Sequence, residues 1–81
     1  MYAIEYDDKW NDYFNALSLE LRKRVWKKIL QIRSGLPGRH LRYSVDFFVE
    51  EVGQYRICYH QDENNKLRTI YFTGKHKDYD K

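Results

Sequence analysis

The first part of the chain alternates between apolar and polar residues and then changes to a helical spacing. Residues 2–6 are aromatic-rich and roughly alternating, which predicts a strand, and Asp7 and Asp8 offer caps for a helix that follows. The apolar residues of that helix recur at i, i+3, i+4 and i+7; they are Trp10, Tyr13, Phe14 and Leu17. We therefore expect a strand followed by a short helix.

A second and longer helix is predicted from Ser18 onward. Ser18 can cap it, and Glu20 lies in its first turn, where a negative charge meets the positive end of the helix dipole. Its apolar stripe consists of Leu21, Val25, Ile29 and Ile32. The segment 35–38 (GLPG) ends this helix, because glycine adopts the left-handed cap conformation and proline lacks the backbone N–H needed to continue.

The second half of the chain predicts three strands. In residues 41–51 the odd positions are apolar through Val49 and the even positions are polar except for Phe48, which predicts a half-buried strand. Gly53 predicts a tight turn into a strand at 55–59, and a polar loop at 61–65 leads to a strand at 67–73. Sequential strands usually pair. The expected fold class is α+β, with an N-terminal strand, a two-helix hairpin and a three-stranded antiparallel meander, and with the helices on one face of a small, mainly antiparallel sheet.

Length and composition limit the kind of protein this is. A chain of 81 residues predicts one domain, 1–81, whose site is an open groove rather than an enclosed cavity for a large cofactor. An apolar fraction of 42% with 17% aromatics excludes a disordered chain. Cys58 is the only cysteine, which excludes an internal disulfide and a four-cysteine zinc site. Without a long apolar run or a secretory signal, we expect a cytoplasmic protein that does not contact membranes.

Positive charge is grouped along the sequence, although the net charge is only +3. The clusters are Arg22, Lys23, Arg24, Lys27, Lys28 and Arg33 on the second helix, then Arg39, His40 and Arg42, then Lys75, His76 and Lys77. The helical strip fits phosphate contact, a partner protein with an acidic segment, or an ordinary solvated helix face. Three clusters in so small a chain favour nucleic-acid binding. The candidate RNA contacts are Lys27, Lys28, Arg39, His40, Arg42, Lys75 and Lys77.

Arg56 is the most informative charged residue, because it lies inside a predicted strand. Strand alternation directs Arg56, Cys58 and His60 to one face and the intervening apolar residues to the core. An arginine in a central strand is costly to desolvate unless it meets an anion. It is therefore either paired with Asp46 or Glu50 or held ready for a phosphate. Cys58 is expected to be a small buried residue, since with His60 it supplies only two zinc ligands.

His76 and Tyr79 are the other residues near the C-terminus that can exchange a proton with a substrate. The sequence has no glycine-rich phosphate loop, no Gly-x-Ser-x-Gly elbow and no carboxylates paired at helical spacing. Nucleotide hydrolysis, acyl transfer by an elbow serine and glycosidase chemistry therefore have no support. The function classes that remain are binding and RNA chemistry.

The order of elements, the segment 53–59 (GQYRICY) and the closing segment 70–79 (IYFTGKHKDY) resemble the RelE/ParE superfamily of toxins over essentially the whole chain. The Leu41 and Arg42 pair also lies where members often carry Leu-Arg or Leu-Lys. For the RelE branch, the resemblance implies the toxin of a type II toxin-antitoxin system, a ribosome-dependent endoribonuclease that cuts mRNA in the A site without a metal or other cofactor. The implied partners are a small antitoxin, the ribosome and mRNA.

The resemblance also implies roles for individual residues. The arginine after Gly-x-Tyr stabilises the phosphate, and that role falls on Arg56. Lys75 and His76 match the basic pair of the tail, with histidine where RelE has arginine, and Tyr79 matches the terminal tyrosine. His76 or Tyr79 would then move protons while the ribose 2′-hydroxyl attacks the adjacent phosphate.

One departure from the family pattern leaves the activity open. RelE itself has two catalytic lysines in the strand before the arginine, and the matching segment here, 46–51 (DFFVEE), has none. Either Arg39, His40 and Arg42 supply the missing charge, or the chain cuts RNA by a histidine-centred variant of the chemistry, or it does not cut RNA. ParE-type members share the fold and inhibit DNA gyrase without RNA cleavage. A plain RNA-binding module is the third alternative.

Overall fold

The computed structural model describes residues 1–35 and 46–75, together with the backbone of residues 39 and 40. The elements in chain order are β1 (Ala3–Tyr6), α1 (Trp10–Asn15), α2 (Leu19–Arg33), β2 (Arg39–His40), β3 (Phe47–Val52), β4 (Tyr55–Asp62) and β5 (Leu67–Lys75). The strands of this described part form one sheet in the order β1-β5-β4-β3-β2. β1 is parallel to β5, and the other three pairs are antiparallel. The predicted α+β fold with its three-stranded meander is confirmed.

β2 is a strand that the sequence pattern does not predict. Its two residues pair with Val49 and Phe48 on β3. Two residues are too few to show an alternating pattern, so periodicity cannot reveal such a strand. Of the strand predicted over 41–51, residues 41–45 lie outside the described part of the chain, and β3 begins at Phe47.

The predicted cap of α2 is confirmed, but that of α1 is wrong, because the N-cap residue of α1 is Lys9 and it makes no side-chain cap hydrogen bond. Before α1, the Asp7 Oδ1 accepts a hydrogen bond from the backbone N–H of Lys9 at 2.7 Å. At the start of α2, the Ser18 Oγ accepts one from the N–H of Leu21 at 3.2 Å. After α2, Gly35 has φ of +104°, in the left-handed region that favours glycine. Neither helix of the described chain is long and apolar enough to cross a membrane.

The core lies between the helices and one face of the sheet. Its buried residues include Trp10, Leu17, Val25, Ile29, Ile32, Phe48, Val52, Ile57, Tyr59 and Ile70. The apolar stripe of α2 is therefore confirmed. Tyr13 of the α1 stripe instead contacts the ring of Phe72 edge-on, with 5.0 Å between the ring centroids.

The residues of β3 that face the core are not the ones that the alternating pattern in the sequence predicts. Phe48 and Val52 lie in the core, and Phe47 and Val49 lie on the opposite face. The reason is the pairing with β4, which places Phe48 directly opposite Tyr59, with the two rings stacked at 5.6 Å and 12°. Apolar residues occupy both faces of β3, so alternation alone does not distinguish its core face.

Candidate functional site

The face of the sheet that points away from the helices carries polar and aromatic residues from β3 and β4. Neighbouring residues of a strand point to opposite faces, and residues directly opposite each other in an antiparallel pair share a face. Ile57 and Tyr59 lie in the core, so the alternate positions of β4 lie on the other face, as predicted. We call this face the open face; its residues are Phe47, Val49 and Glu51 of β3 and Arg56, Cys58 and His60 of β4. Cys58 is fully buried there, which agrees with the small buried residue expected.

Arg56 lies on the open face close to the turn between β3 and β4. Its side chain is 12% exposed, and its Nη2 is 3.7 Å from the Oε2 of Glu51, whose side chain is 52% exposed. The structure gives Arg56 an acidic neighbour, as one of the two predicted alternatives requires, and this neighbour is Glu51, which the sequence analysis did not name beside Asp46 and Glu50. Glu50 is opposite Ile57 and so belongs to the core side, whereas Glu51 is the register partner of Arg56.

On the β5 side, the register partner of Arg56 is Gly74, which has no side chain. A Cβ at this position would lie 2.8 Å from the Cζ of Phe72, closer than real Cβ atoms approach. Gly74 is therefore needed for packing. Arg56 therefore has a carboxylate beside it on β3, and on β5 its register partner is a glycine over which the Phe72 ring packs.

The C-terminal candidates extend beyond the described residues. Lys75 ends β5, is exposed and is paired with Tyr55, a residue packed against the core. It lines a cleft of about 640 Å³ between α1 and the end of β5, together with Tyr13 and Leu21. Lys75 is thus near Arg56 along the sheet, but it borders the cleft beside α1. The candidates His76, Lys77 and Tyr79 lie outside the described residues, as does Arg42.

Of the other basic candidates, the structure separates Lys27 and Lys28 from Arg56. Arg39 and His40 form β2, the edge strand next to β3, and only their backbone is described. Lys27 and Lys28 lie on α2, which packs against the opposite side of the sheet from the open face. Among the described residues, the α2 lysines do not join Arg56 in one continuous surface.

Part of the basic strip on α2 has a structural role. The guanidinium of Arg22 donates to the carbonyl of Leu17 at 3.1 Å and to that of Asn15 at 2.8 Å, at the end of α1. The guanidinium of Arg24 packs beside Gly53, where a Cβ would lie 3.2 Å from its Nη2. Gly53 has φ of +61°, so the predicted turn between β3 and β4 requires glycine for its backbone as well.

Three aromatic rings meet on the open face, one from each strand of the meander. Phe47 is the register partner of His60, and their ring centroids are 4.9 Å apart. The ring of Tyr71 reaches Phe47 from β5 at 5.9 Å and 82°. We call these residues the aromatic cluster. The sequence analysis missed it because the contact depends on register across two strand pairs.

The aromatic cluster also depends on an irregularity in β5. Cys58 is opposite Phe72, and Tyr59 is opposite Ile70, so Tyr71 is an extra residue at a β-bulge. Bulges redirect side chains and increase the local twist of the strand. No motif in the sequence marks this position.

Arg68 is a second arginine in the meander that the sequence analysis did not single out, and its role is structural. It is 3% exposed. Its Nη1 donates to the carbonyl of Ile32 at 2.8 Å, at the C-terminal end of α2, and its Nε donates to Gln61 Oε1 at 2.9 Å. Its guanidinium carbon lies 4.1 Å from the centroid of the Tyr2 ring. A positive charge in this position complements the negative end of the helix dipole.

An apolar groove of about 560 Å³ lies between β1 and α2. Several of the exposed large apolar residues line it: Met1, Tyr6, Trp26 and Leu30. Partial burial of the Tyr6 side chain raises its pKa. Exposed apolar patches of this kind often mark binding surfaces.

Two carboxyl groups with lowered pKa values, Asp62 and Glu63, lie at the end of β4 and in the turn that follows it, away from Arg56. Hydrogen bonds from the side chain and backbone of Asn65 lower the pKa of Asp62. A hydrogen bond from Lys66, followed by one from the Tyr2 hydroxyl, lowers the pKa of Glu63. These interactions fasten the turn. Within residues 1–35 and 46–75, no three His, Cys, Asp or Glu side chains are grouped as metal ligands.

A strand, a helix pair and an antiparallel meander with the helices on one side define the RelE-type α+β fold, and solved structures confirm this assignment. Isolated E. coli RelE toxin has a TM-score of 0.82 at 18% identity, with 93% of this chain and 84% of that chain covered. A chain of the intact E. coli RelBE toxin-antitoxin complex has a TM-score of 0.81 at 18% identity, with 93% of this chain and 96% of that chain covered. A chain of the RelBE2 toxin-antitoxin complex from Mycobacterium tuberculosis has a TM-score of 0.75 at 18% identity, with 93% of this chain and 98% of that chain covered. No protein-family model and no curated protein matches the sequence.

Proposed function

We propose that this protein is the toxin of a type II toxin-antitoxin system and acts as a ribosome-dependent mRNA endoribonuclease in the A site. The observation that carries the proposal is Arg56, a largely buried arginine on the open face of a RelE-type fold. Its register partners on the two adjacent strands are Glu51 and Gly74. Solved structures that share the fold include toxins and toxin-antitoxin complexes. A cognate antitoxin is accordingly the proposed protein partner, and the ribosome places the proposed activity in the cytoplasm.

The proposed chemistry uses side chains and no metal ion. The ribose 2′-oxygen attacks the adjacent phosphorus and gives up its proton, a 2′,3′-cyclic phosphate forms, and the bond from phosphorus to the 5′-oxygen breaks. Arg56 counters the additional negative charge of the transition state, where a charged donor contributes most. His76 and Tyr79 are the proposed groups that take the 2′-hydroxyl proton and protonate the leaving 5′-oxygen. Lys75, Lys77, Arg39, His40 and Arg42 are the proposed RNA contacts close to the sheet.

The test is to incubate the purified protein with ribosomes that hold an end-labelled mRNA, and in parallel with the same RNA free in solution. Both reactions contain a chelator. Cleavage only on the ribosome, unaffected by the chelator, is the expected result. Cleavage of free RNA would refute the ribosome dependence, and loss of cleavage with chelator would refute the metal-independent chemistry.

One observation favours a second candidate, a ParE-like inhibitor that binds DNA gyrase without cutting RNA. The carboxylate of Glu51 already pairs with Arg56, and β3 carries Glu50 and Glu51 but neither of the two lysines that the resemblance to RelE implies for this strand. This candidate predicts that His76→Ala and Tyr79→Phe leave growth inhibition unchanged. It also predicts that the protein inhibits DNA supercoiling by purified gyrase, whereas an endoribonuclease does not. A plain RNA-binding module would neither cleave mRNA nor inhibit gyrase.

A further inference from the structure

We propose that Phe47, held by His60 and Tyr71, is a stacking surface for one nucleobase of single-stranded RNA. The inference takes its substrate class from the proposed function and adds a base contact to it. Phe47 is 39% exposed, whereas the next residue, Phe48, is 9% exposed and lies in the core. Aromatic rings presented on a sheet are a common way to bind single-stranded RNA, since every base has a π-face that can stack.

The ring geometry suits stacking of an added base. His60 meets Phe47 at 55°, and Tyr71 meets it at 82°, so neither ring lies parallel to Phe47. In the core, by contrast, Phe48 and Tyr59 are stacked at 12°. The tilted neighbours restrain Phe47 without being stacked face to face on it. A ring held in place in advance loses little conformational entropy when a base stacks on it.

The neighbouring chemistry favours RNA over a protein partner. His60 and Tyr71 each add a polar group that can hydrogen-bond to a base edge. Arg56 is on the same face of β4, four residues from His60, which corresponds to about 13 Å along the strand. One short oligonucleotide can therefore place a base on Phe47 and a phosphate at Arg56.

The test measures binding of short, labelled, single-stranded 2′-O-methyl RNA, which cannot be cut, by fluorescence anisotropy. An abasic oligonucleotide of equal length keeps the phosphates and removes the bases. Phe47→Leu should weaken binding of the base-bearing oligonucleotide about 5- to 150-fold and leave binding of the abasic one unchanged. Trp26→Leu is the matched control, because Trp26 is 50% exposed on α2, away from the open face, and it should change neither affinity.

Circular dichroism establishes that each variant is folded, and Tyr71→Leu replaces Phe47→Leu if the latter does not fold. Equal affinity of the wild-type protein for both oligonucleotides, or no binding of either, would overturn the inference. Unchanged RNA affinity in Phe47→Leu would also overturn it and would assign the ring to protein contact or to packing. Because the oligonucleotide cannot be cut, a protein that stacks bases but cuts no mRNA would retain this inference while the proposed function fails.

Discussion

Substitution of Arg56 separates a role in catalysis from a role in stability, and Arg68 supplies the matched control. Arg56 pairs at 3.7 Å with a carboxylate that is half exposed, an interaction worth about 0.2 to 1 kcal/mol. Glutamine keeps most of the arginine stem. We therefore expect the loss of this one ion pair in Arg56→Gln to lower the melting temperature by no more than about 8 °C in a domain of this size.

The expected effect on cleavage is much larger. Removing one charged donor from a phosphoryl transition state costs about 3 to 4 kcal/mol, or roughly 100- to 1,000-fold in rate. Arg68→Gln should show the reverse pattern. Arg68 is buried and makes two charge-assisted hydrogen bonds, and losing them costs about 3 kcal/mol or more, which corresponds to a fall of about 12 to 24 °C in melting temperature.

Two measurements test this reasoning together: the rate of mRNA cleavage on ribosomes and thermal unfolding followed by circular dichroism. If Arg56→Gln keeps its cleavage rate within about tenfold of wild type, the charge-stabilising role assigned to Arg56 is refuted. If it loses as much thermal stability as Arg68→Gln, Arg56 is a structural residue and the open face loses its candidate phosphate contact.

Other predictions concern the neighbours of Arg56 and the turn of the meander. Glu51→Gln removes the carboxylate that competes with phosphate for Arg56 and should tighten RNA binding, measured by anisotropy; weaker binding would contradict this. Gly74→Ala places a methyl group against Phe72 and should destabilise the fold by about 1 to 3 kcal/mol in denaturant unfolding. The lowered pKa values of Asp62 and Glu63 stabilise the fold above the ordinary carboxyl pKa, and this stabilisation is lost as the pH falls through the folded values. The double variant Asp62→Asn, Glu63→Gln should therefore lose less unfolding free energy than the wild-type protein as the pH falls, measured by denaturant unfolding at a series of pH values.

The extent to which the sequence predicts the structure differs from strand to strand. Alternation correctly orients β4, because Ile57 and Tyr59 alternate with the polar Arg56 and His60. It fails on β3, where apolar residues occupy both faces and only the pairing with β4 selects Phe48 for the core.

The parts of the site that the sequence did not predict all depend on register. Glu51 lies beside Arg56 because of the pairing between β3 and β4. The contact between Tyr71 and Phe47 requires the β-bulge of β5 as well. Local propensity contains no information about which residues of two strands face each other. The sequence therefore predicts the face of β4 on which Arg56 lies, but it does not predict which residues surround it.

The central claim is tested most directly by removing one oxygen atom from the substrate. Two mRNAs are placed on ribosomes, one unmodified and one with 2′-deoxyribose at the A-site codon, and each is incubated with the wild-type protein. The account predicts cleavage of the unmodified mRNA, with a 5′-hydroxyl on the downstream fragment, and no cleavage of the 2′-deoxy mRNA. Cleavage of both would contradict attack by the 2′-hydroxyl, and cleavage of neither would contradict the assignment of this protein as an mRNA endoribonuclease.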